Sequence, residues 1–154
     1  MSSRPSILKR LYYSLAGPRH VLPQFIIVGA QRSGTTTLYK WMIQHPQIRP
    51  GTEKEIRFFD RNFRNGVNWY RLHFPTRRKL GSDRVTGEAT PYYLFHPRAA
   101  QRIRQVVPDV KLIALLRNPV DRAVSHYFRE VHLGQEDRPI EEALLLEESR
   151  LQPE

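Results

Sequence analysis

The stretch FIIVGAQRSGTTTLYKW, residues 25–41, constrains the fold more than any other part of the chain. Phe25 to Val28 is a continuous apolar run, the pattern of a strand covered on both faces. Gly29 and Gly34 bracket a short polar loop. Thr35 then opens a segment to His45 that puts Leu38, Trp41 and Met42 on one helical face before Pro46 closes it. A buried strand running through a glycine-bounded loop into a helix is the opening unit of a parallel sheet. Its loop aims backbone amides and a helix N-terminus at one point, as a phosphate-binding loop does.

The alternation continues along the chain. A second strand is expected at 84–89, and Pro97 starts a helix with Ala99, Ile103, Val106 and Val107 inward, ending before Pro108. KLIALL, 111–116, reads as a strand. Asn118 and Pro119 supply an N-cap and first turn for a helix that runs to Leu133, with Gly134 as its stop. Residues 47–84 read as irregular and rich in Arg, Asn, Gly and aromatics. A last helix from Pro139 carries Ile140, Ala143, Leu144 and Leu151 as an apolar stripe. The expected fold class is α/β: a three-layer, P-loop-like arrangement with a mainly parallel central sheet flanked by helices. Residues 1–24 form a basic lead-in with a short amphipathic helix at ILKRLYYSL, and residues 25–154 form one unit. Nothing after the last stripe covers it, so the sheet is expected to be incomplete at its C-terminal end. Ligands of such sheets sit at the carboxyl ends of the strands, where the loops after residues 28 and 116 both lie.

Charge narrows the ligand. Residues 136–154 hold seven acids against Arg138 and Arg150, whereas the remainder has 23 basic and 8 acidic residues, leaving the chain at +10. A body this basic favours an anion: a nucleotide, an acidic glycan, nucleic acid or an anionic membrane. Cysteine is absent, which removes disulfides and thiolate metal sites. The apolar runs fall far short of the ~20 residues that span a bilayer, and no secretory signal is visible. The expectation is a cytoplasmic protein without a transmembrane segment; its oligomeric state is left open.

In the loop, Arg32 offers a forked cation, and the hydroxyls of Thr35 and Thr36 stand where free amides and the helix dipole favour negative charge. A triphosphate site wants a lysine before its Ser/Thr, and Thr35 occupies that place. The loop therefore suits a single phosphate better than a polyphosphate. Farther on, LLRNPVDRAVSHY, 115–127, puts Arg117 at a strand end and Ser125 on the next helix, a pair able to hold a second phosphate.

These two segments, in this order, resemble the sulfotransferases that use 3′-phosphoadenosine-5′-phosphosulfate (PAPS). GAQRSGTT is similar to the family loop that holds the 5′-phosphosulfate, and RNPVDRAVS to the segment that holds the 3′-phosphate. EKEIRFFD at 53–60, GVNWY at 66–70 and GEATPYYL at 87–94 resemble segments of the heparan sulfate sulfotransferase group and its bacterial relatives. The resemblance covers residues 25–134. It implies PAPS as donor, adenosine 3′,5′-bisphosphate as product, no required metal, and a hydroxyl-bearing acceptor such as a glycan; no nucleic acid is expected. It further implies donor contacts from Arg32, Ser33, Gly34, Thr35, Thr36, Thr37, Arg117 and Ser125, with Arg32 also stabilising the leaving group and Glu55 as general base.

An unperturbed glutamate has a pKa of about 4.3, so the base role calls for burial of Glu55 beside Phe58 and Phe59 to raise it. Glu53, Asp60 and Glu88 compete for that role. Two residues depart from the heparan sulfate group, which has lysine at the positions of Arg32 and Ala89. His126 is expected on the side of its helix away from Ser125, as a surface or packing residue. Trp69, Tyr70, Tyr92 and Tyr93 fit an acceptor site or the core equally well, and Arg77 to Lys79 fit a solvated loop or an attractor of acidic acceptors. The competing readings are a P-loop nucleotide kinase or NTPase, a non-catalytic polyanion-binding module and an inactive fragment. The missing lysine argues against the first, and the ordered pair of anion-binding segments against the second.

Overall fold

The computed structural model describes residues 6–147. Helix α1 (Ile7–Ala16) and a 3-10 turn at Gly17–Arg19 lead into strand β1 (Phe25–Gly29), all five residues of which are buried. The glycine-bounded loop then enters α2 (Thr35–Met42), followed by β2 (Ile48–Pro50). A π-helical turn at Phe58–Asn62 precedes the short helices α3 (Val67–Arg71) and α4 (Arg77–Leu80). The remaining elements are β3 (Val85–Ala89), a 3-10 turn at Pro91–Leu94, α5 (Ala99–Val106), β4 (Lys111–Ala114), α6 (Pro119–His132) and α7 (Ile140–Leu145).

The four strands form one sheet in the order β2-β3-β1-β4, every pair parallel. Phe25 lies opposite Gly87 on one side and Lys111 on the other, and Gly29 lies opposite Ala114. Gly87 is required by this contact. A Cβ there would stand 2.4 Å from the Phe25 carbonyl oxygen and 2.6 Å from its ring.

Alternate residues of β1 feed two cores. Ile26 and Val28 pack with Ile56, Phe58, Phe59, Tyr70, Phe74 and Tyr93, and with Ala99, Ile103 and Val107. Phe25 and Ile27 pack with Tyr39 and Ala89, flanked by Leu38, Met42 and Ile113. In the first core Phe58 stacks on Tyr70 with ring centres 4.3 Å apart, which fixes the chain between β2 and β3 against the sheet.

The α/β architecture and parallel sheet are as expected, with corrections in detail. On α2 the inward residues are Leu38, Tyr39 and Met42, whereas Trp41 is 67% exposed. A helix that ends at Met42 turns positions 35, 38, 39 and 42 to the sheet, leaving 41 outside. The 47–84 region contains β2, whose three residues are too few to show a strand period. Strand β4 is an edge strand and stops at Ala114, with Leu112 and Leu116 exposed. On α7 Ala143 is buried but Leu144 is half exposed; Leu151 lies outside the described residues.

Candidate active site

Because β1 and β4 are parallel neighbours, the loops after them leave the sheet side by side. The Ala30 amide donates to the Leu115 carbonyl at 2.8 Å, and the Leu115 amide to the Gly29 carbonyl at 2.8 Å. The first loop turns at Gly34, φ +88°, and holds Arg32 at φ +66°. A left-handed non-glycine residue costs ~1–2 kcal/mol and recurs where a side chain must be aimed. No side chain caps α2, so its first amides point outward unclaimed by a cap. Ser33 Oγ is buried without a hydrogen-bond partner among the described residues. The second loop ends at Asn118, whose Oδ1 accepts from the amides of Val120 (3.0 Å) and Asp121 (3.3 Å) and so starts α6.

This geometry joins the two segments. Arg32 Nε donates to Ser125 Oγ at 3.1 Å, and Arg117 Nη1 donates to the Arg32 carbonyl at 3.2 Å. Residues 93 and 85 positions apart in sequence thus meet at one surface.

The segment before Phe58 forms a third wall, held to the sheet by the Ala89 amide donating to the Lys54 carbonyl at 3.1 Å. A cleft of about 100 Å³ opens between Arg32, Thr35 and Thr36 of the loop, Lys54 and Glu55 of this wall, and His126 and Arg129 of α6. Thr37 is exposed and lies outside the cleft lining. Glu55 reaches the cleft with its carboxylate accepting from Lys54 Nζ at 2.6 Å and its side chain 46% exposed. The burial beside Phe58 and Phe59 expected for it is absent, since both rings point into the core while Glu55 points the other way.

His126 is a second correction. It faces the loop rather than lying away from Ser125, with Nε2 3.3 Å from Glu130 Oε1, and the same carboxylate accepts from Arg129 Nη1 at 2.6 Å. Lys54 and Arg129 join the site only through the fold. Arg129 stands four positions after Ser125, one helical turn on, and that spacing is the signal that finds it.

The competing carboxylates have other partners. Glu53 lies 3.0 Å from His73 Nδ1, and Asp60 accepts from Arg57 Nε at 2.7 Å. Glu88 is fully buried. It accepts from Tyr70 Oη at 2.5 Å, Thr90 Oγ1 at 2.7 Å and Tyr93 Oη at 3.2 Å. Burial pushes its pKa up to about 7, while hydrogen bonds from Tyr70, Thr90 and Tyr93 pull the other way. Burial and the adjacent Glu88 charge push both tyrosine hydroxyls up. Tyr93 Oη also accepts from the amides of Phe58 (2.8 Å) and Phe59 (3.3 Å), so Glu88 is tied through it to the wall that carries Glu55.

Tyr70 and Tyr93 are therefore core, and Trp69 packs against that core half-buried. Tyr92 instead lines a polar groove of about 590 Å³ beside the cleft, with Arg57, Arg61, His96, His126 and Arg129. The Arg57 guanidinium sits 5.0 Å from the Tyr92 ring centre. Arg77 to Lys79 lie exposed on α4 and line neither cleft nor groove, and Ala89 is buried in the second core.

An uncapped helix start, an orphaned serine hydroxyl, and two arginines at one point fit an anionic, phosphate-bearing ligand. Residues 22–149 match the family model described as "Sulfotransferase domain". The chain belongs to the sulfotransferase family. It is 42% identical over 106 residues to the membrane-associated sulfotransferase kil1 of Dictyostelium discoideum, a match covering 69% of this chain and 22% of that protein. It is also 42% identical over 113 residues to human heparan sulfate glucosamine 3-O-sulfotransferase 6, covering 73% of this chain and 32% of the relative. Its fold is similar to the crystal structure of a sulfotransferase from Alicyclobacillus acidocaldarius, with TM-score 0.70 and 35% identity over 85% of this chain and 59% of that one. The chain thus spans a third or less of these curated relatives and about three fifths of the solved structure.

Proposed function

We propose that the protein transfers a sulfuryl group from PAPS to a hydroxyl of a carbohydrate acceptor and releases adenosine 3′,5′-bisphosphate. The observation that carries this reading is the meeting of Arg32 with Arg117 and Ser125 at the ends of adjacent parallel strands. It supplies two anion-binding groups at one surface, as a nucleotide with phosphates on both its 3′ and 5′ positions requires. The bound donor supplies a sulfuryl group whose bond to the 5′-phosphate breaks as the acceptor oxygen bonds to sulfur.

The chain's residues divide the work. The amides of Gly34 to Thr36, the hydroxyls of Ser33, Thr35 and Thr36, and Arg32 would hold the 5′ end; Arg117 and Ser125 would hold the 3′-phosphate. Arg32 balances charge on the departing phosphate, a role in which fixed donors act without reorganising. Glu55 takes the acceptor proton, and Lys54 beside it keeps the carboxylate turned into the cleft. The adjoining groove, which Asp60 and Glu130 also line, offers the Tyr92 ring and Arg61 to a sugar, while Arg57 is held by Asp60. The printed names of the heparan sulfate relatives support a carbohydrate as acceptor.

Titration calorimetry tests the donor half. Adenosine 3′,5′-bisphosphate should bind without magnesium and more tightly than ATP with magnesium, and Arg32→Ala and Arg117→Ala should each abolish measurable binding. Preferential ATP binding, or bisphosphate binding that survives both substitutions, refutes the assignment. Release of bisphosphate on adding PAPS with N-sulfated heparosan or a non-sulfated glycan then tests the acceptor half.

A further inference from the structure

Helix α1 carries an apolar stripe that stays exposed among the described residues. Ile7, Leu8, Leu11, Tyr12 and Leu15 are 84%, 79%, 57%, 60% and 68% exposed. At about 100° per residue these five positions fall within an arc of about 140°. The helix is nevertheless docked. Tyr13 on its opposite side and Ala16 beside the stripe's edge are partly covered, and Gly17 at its end abuts Asn68 so closely that a Cβ would lie 2.7 Å from the asparagine Cβ. The body therefore holds α1 by its back and presents the apolar stripe outward.

The charges around the stripe say what it faces. On the same angular scale Lys9 and Arg10 stand about 60° beyond its two edges, one on each side. No aspartate or glutamate occurs in residues 1–52, which contain Arg4, Lys9, Arg10, Arg19, Arg32, Lys40 and Arg49. A second copy of this chain would bring the same uncompensated positive charge against the stripe. An anionic lipid surface accepts both features, because apolar side chains enter the acyl boundary while flanking Lys and Arg reach the headgroups. At ten residues the helix is about 15 Å long, half of a bilayer core, so it lies on the membrane and does not cross it.

We infer that α1 is an interfacial anchor that seats the protein on an anionic lipid surface. None of its residues lines the cleft or the groove of the candidate site, so the anchor is separate from donor and acceptor binding.

Vesicle co-sedimentation of the whole protein tests this. Vesicles of phosphatidylcholine with phosphatidylglycerol should carry it down, and phosphatidylcholine alone should carry far less. Leu8→Ser with Leu11→Ser keeps every charge and should lower the partition coefficient at least about tenfold, since buried methylenes contribute about 0.8 kcal/mol each. Lys9→Glu with Arg10→Glu should lower it as well. Because these side chains are exposed, the variants should keep the parent's far-ultraviolet spectrum and thermal midpoint. As a readout free of mutation, amide exchange in residues 7–16 of the unaltered protein should slow when the mixed vesicles are added. Three results overturn the inference: full binding by the double-serine variant, which assigns attraction to the basic body; no slowing of exchange in α1; or lipid-free self-association that the double-serine variant abolishes, which makes the stripe a contact between copies.

Discussion

Glu88→Gln isolates the buried carboxyl that links the sheet to the wall carrying Glu55. In the folded chain its pKa rises from 4.5 to about 7, chiefly through burial. The folded state then holds this proton more tightly than the unfolded chain does. As pH rises the unfolded chain sheds it first, so stability from Glu88 is full below about pH 4.5 and is lost as pH climbs through about 7. At 1.36 kcal/mol per pKa unit the loss between pH 5 and pH 8 is roughly 2 to 3 kcal/mol. Glutamine has no proton to lose, so the stability of the parent minus that of Glu88→Gln should fall by this amount across the window. The subtraction removes His73, whose pKa burial lowers and which therefore destabilises the fold in the opposite direction, as pH falls below 6.5. For a chain of this size the difference is roughly 4–12 °C in relative Tm. Urea or thermal unfolding of both proteins at several pH values measures it. A difference curve flat to within about 0.5 kcal/mol, the scatter of additivity, would refute the linkage argument. At pH 8, where the carboxyl is ionised, the variant should still be weaker by about 1–3 kcal/mol, because the amide's NH₂ cannot accept from Tyr70, Thr90 or Tyr93 as a carboxylate oxygen does. Toward pH 5 the gap should widen by the linkage amount.

Three further outcomes follow from the site. Glu55→Gln should lower the sulfuryl-transfer rate by ~10²–10⁴-fold in single-turnover assays while bisphosphate affinity is kept; an unchanged rate removes Glu55 as base. Gly34→Ala meets no atom within 4 Å but forces alanine to φ +88°, so it should cost ~1–2 kcal/mol in unfolding experiments and weaken bisphosphate binding. Asn118→Ala removes the acceptor for two amides at the start of α6 and should cost about 1 kcal/mol, with bisphosphate affinity falling more than Glu55→Gln changes it.

The sequence is most legible where local chemistry and the final fold agree. β1 and its loop are readable because an unbroken apolar run and two glycines have few alternative uses. The start and stop of α6 are readable because Asn118 caps it and Gly134, at φ +67°, ends it. What the sequence leaves unread depends on contacts between distant segments. Glu55 and Glu88 are both glutamates near aromatics; the direction of each side chain from its strand or wall sends one to the cleft and the other to the core. The side that His126 takes is not legible in the sequence, because a single residue on a helix is assigned a side only relative to what the helix packs on. Here Ser125, His126 and Arg129 share the loop-facing side, so the three belong together. Lys54 lies within the EKEIRFFD segment, but its place beside the loop depends on a contact between distant segments, the Ala89–Lys54 hydrogen bond that sets this wall against the sheet.

The two halves of the donor site differ in how firmly the protein holds them. The loop at 29–36 springs from a strand whose five residues are all buried between two cores. Arg117, Ser125, His126 and Arg129 instead hang from edge strand β4 and from α6, which has no fully buried residue. The outer face of α6 shows Val120, Val124, Phe128 and Val131, a stripe at helical spacing that remains exposed among the described residues. Elements with few buried apolar contacts open at lower free energy than the global unfolding of the chain. A nucleotide that bridges Arg32 to Arg117 and Ser125 ties the loose half to the firm one and stabilises only the closed form. With ligand at 100 times its dissociation constant that stabilisation is about 2.7 kcal/mol, or roughly a hundredfold slowing of opening-limited exchange. Amide exchange in residues 119–132 should therefore slow strongly on adding adenosine 3′,5′-bisphosphate, while exchange in β1 stays slow throughout. Equal protection of α6 with and without the ligand would mean that the helix is already fixed, and the unequal-support argument would fail.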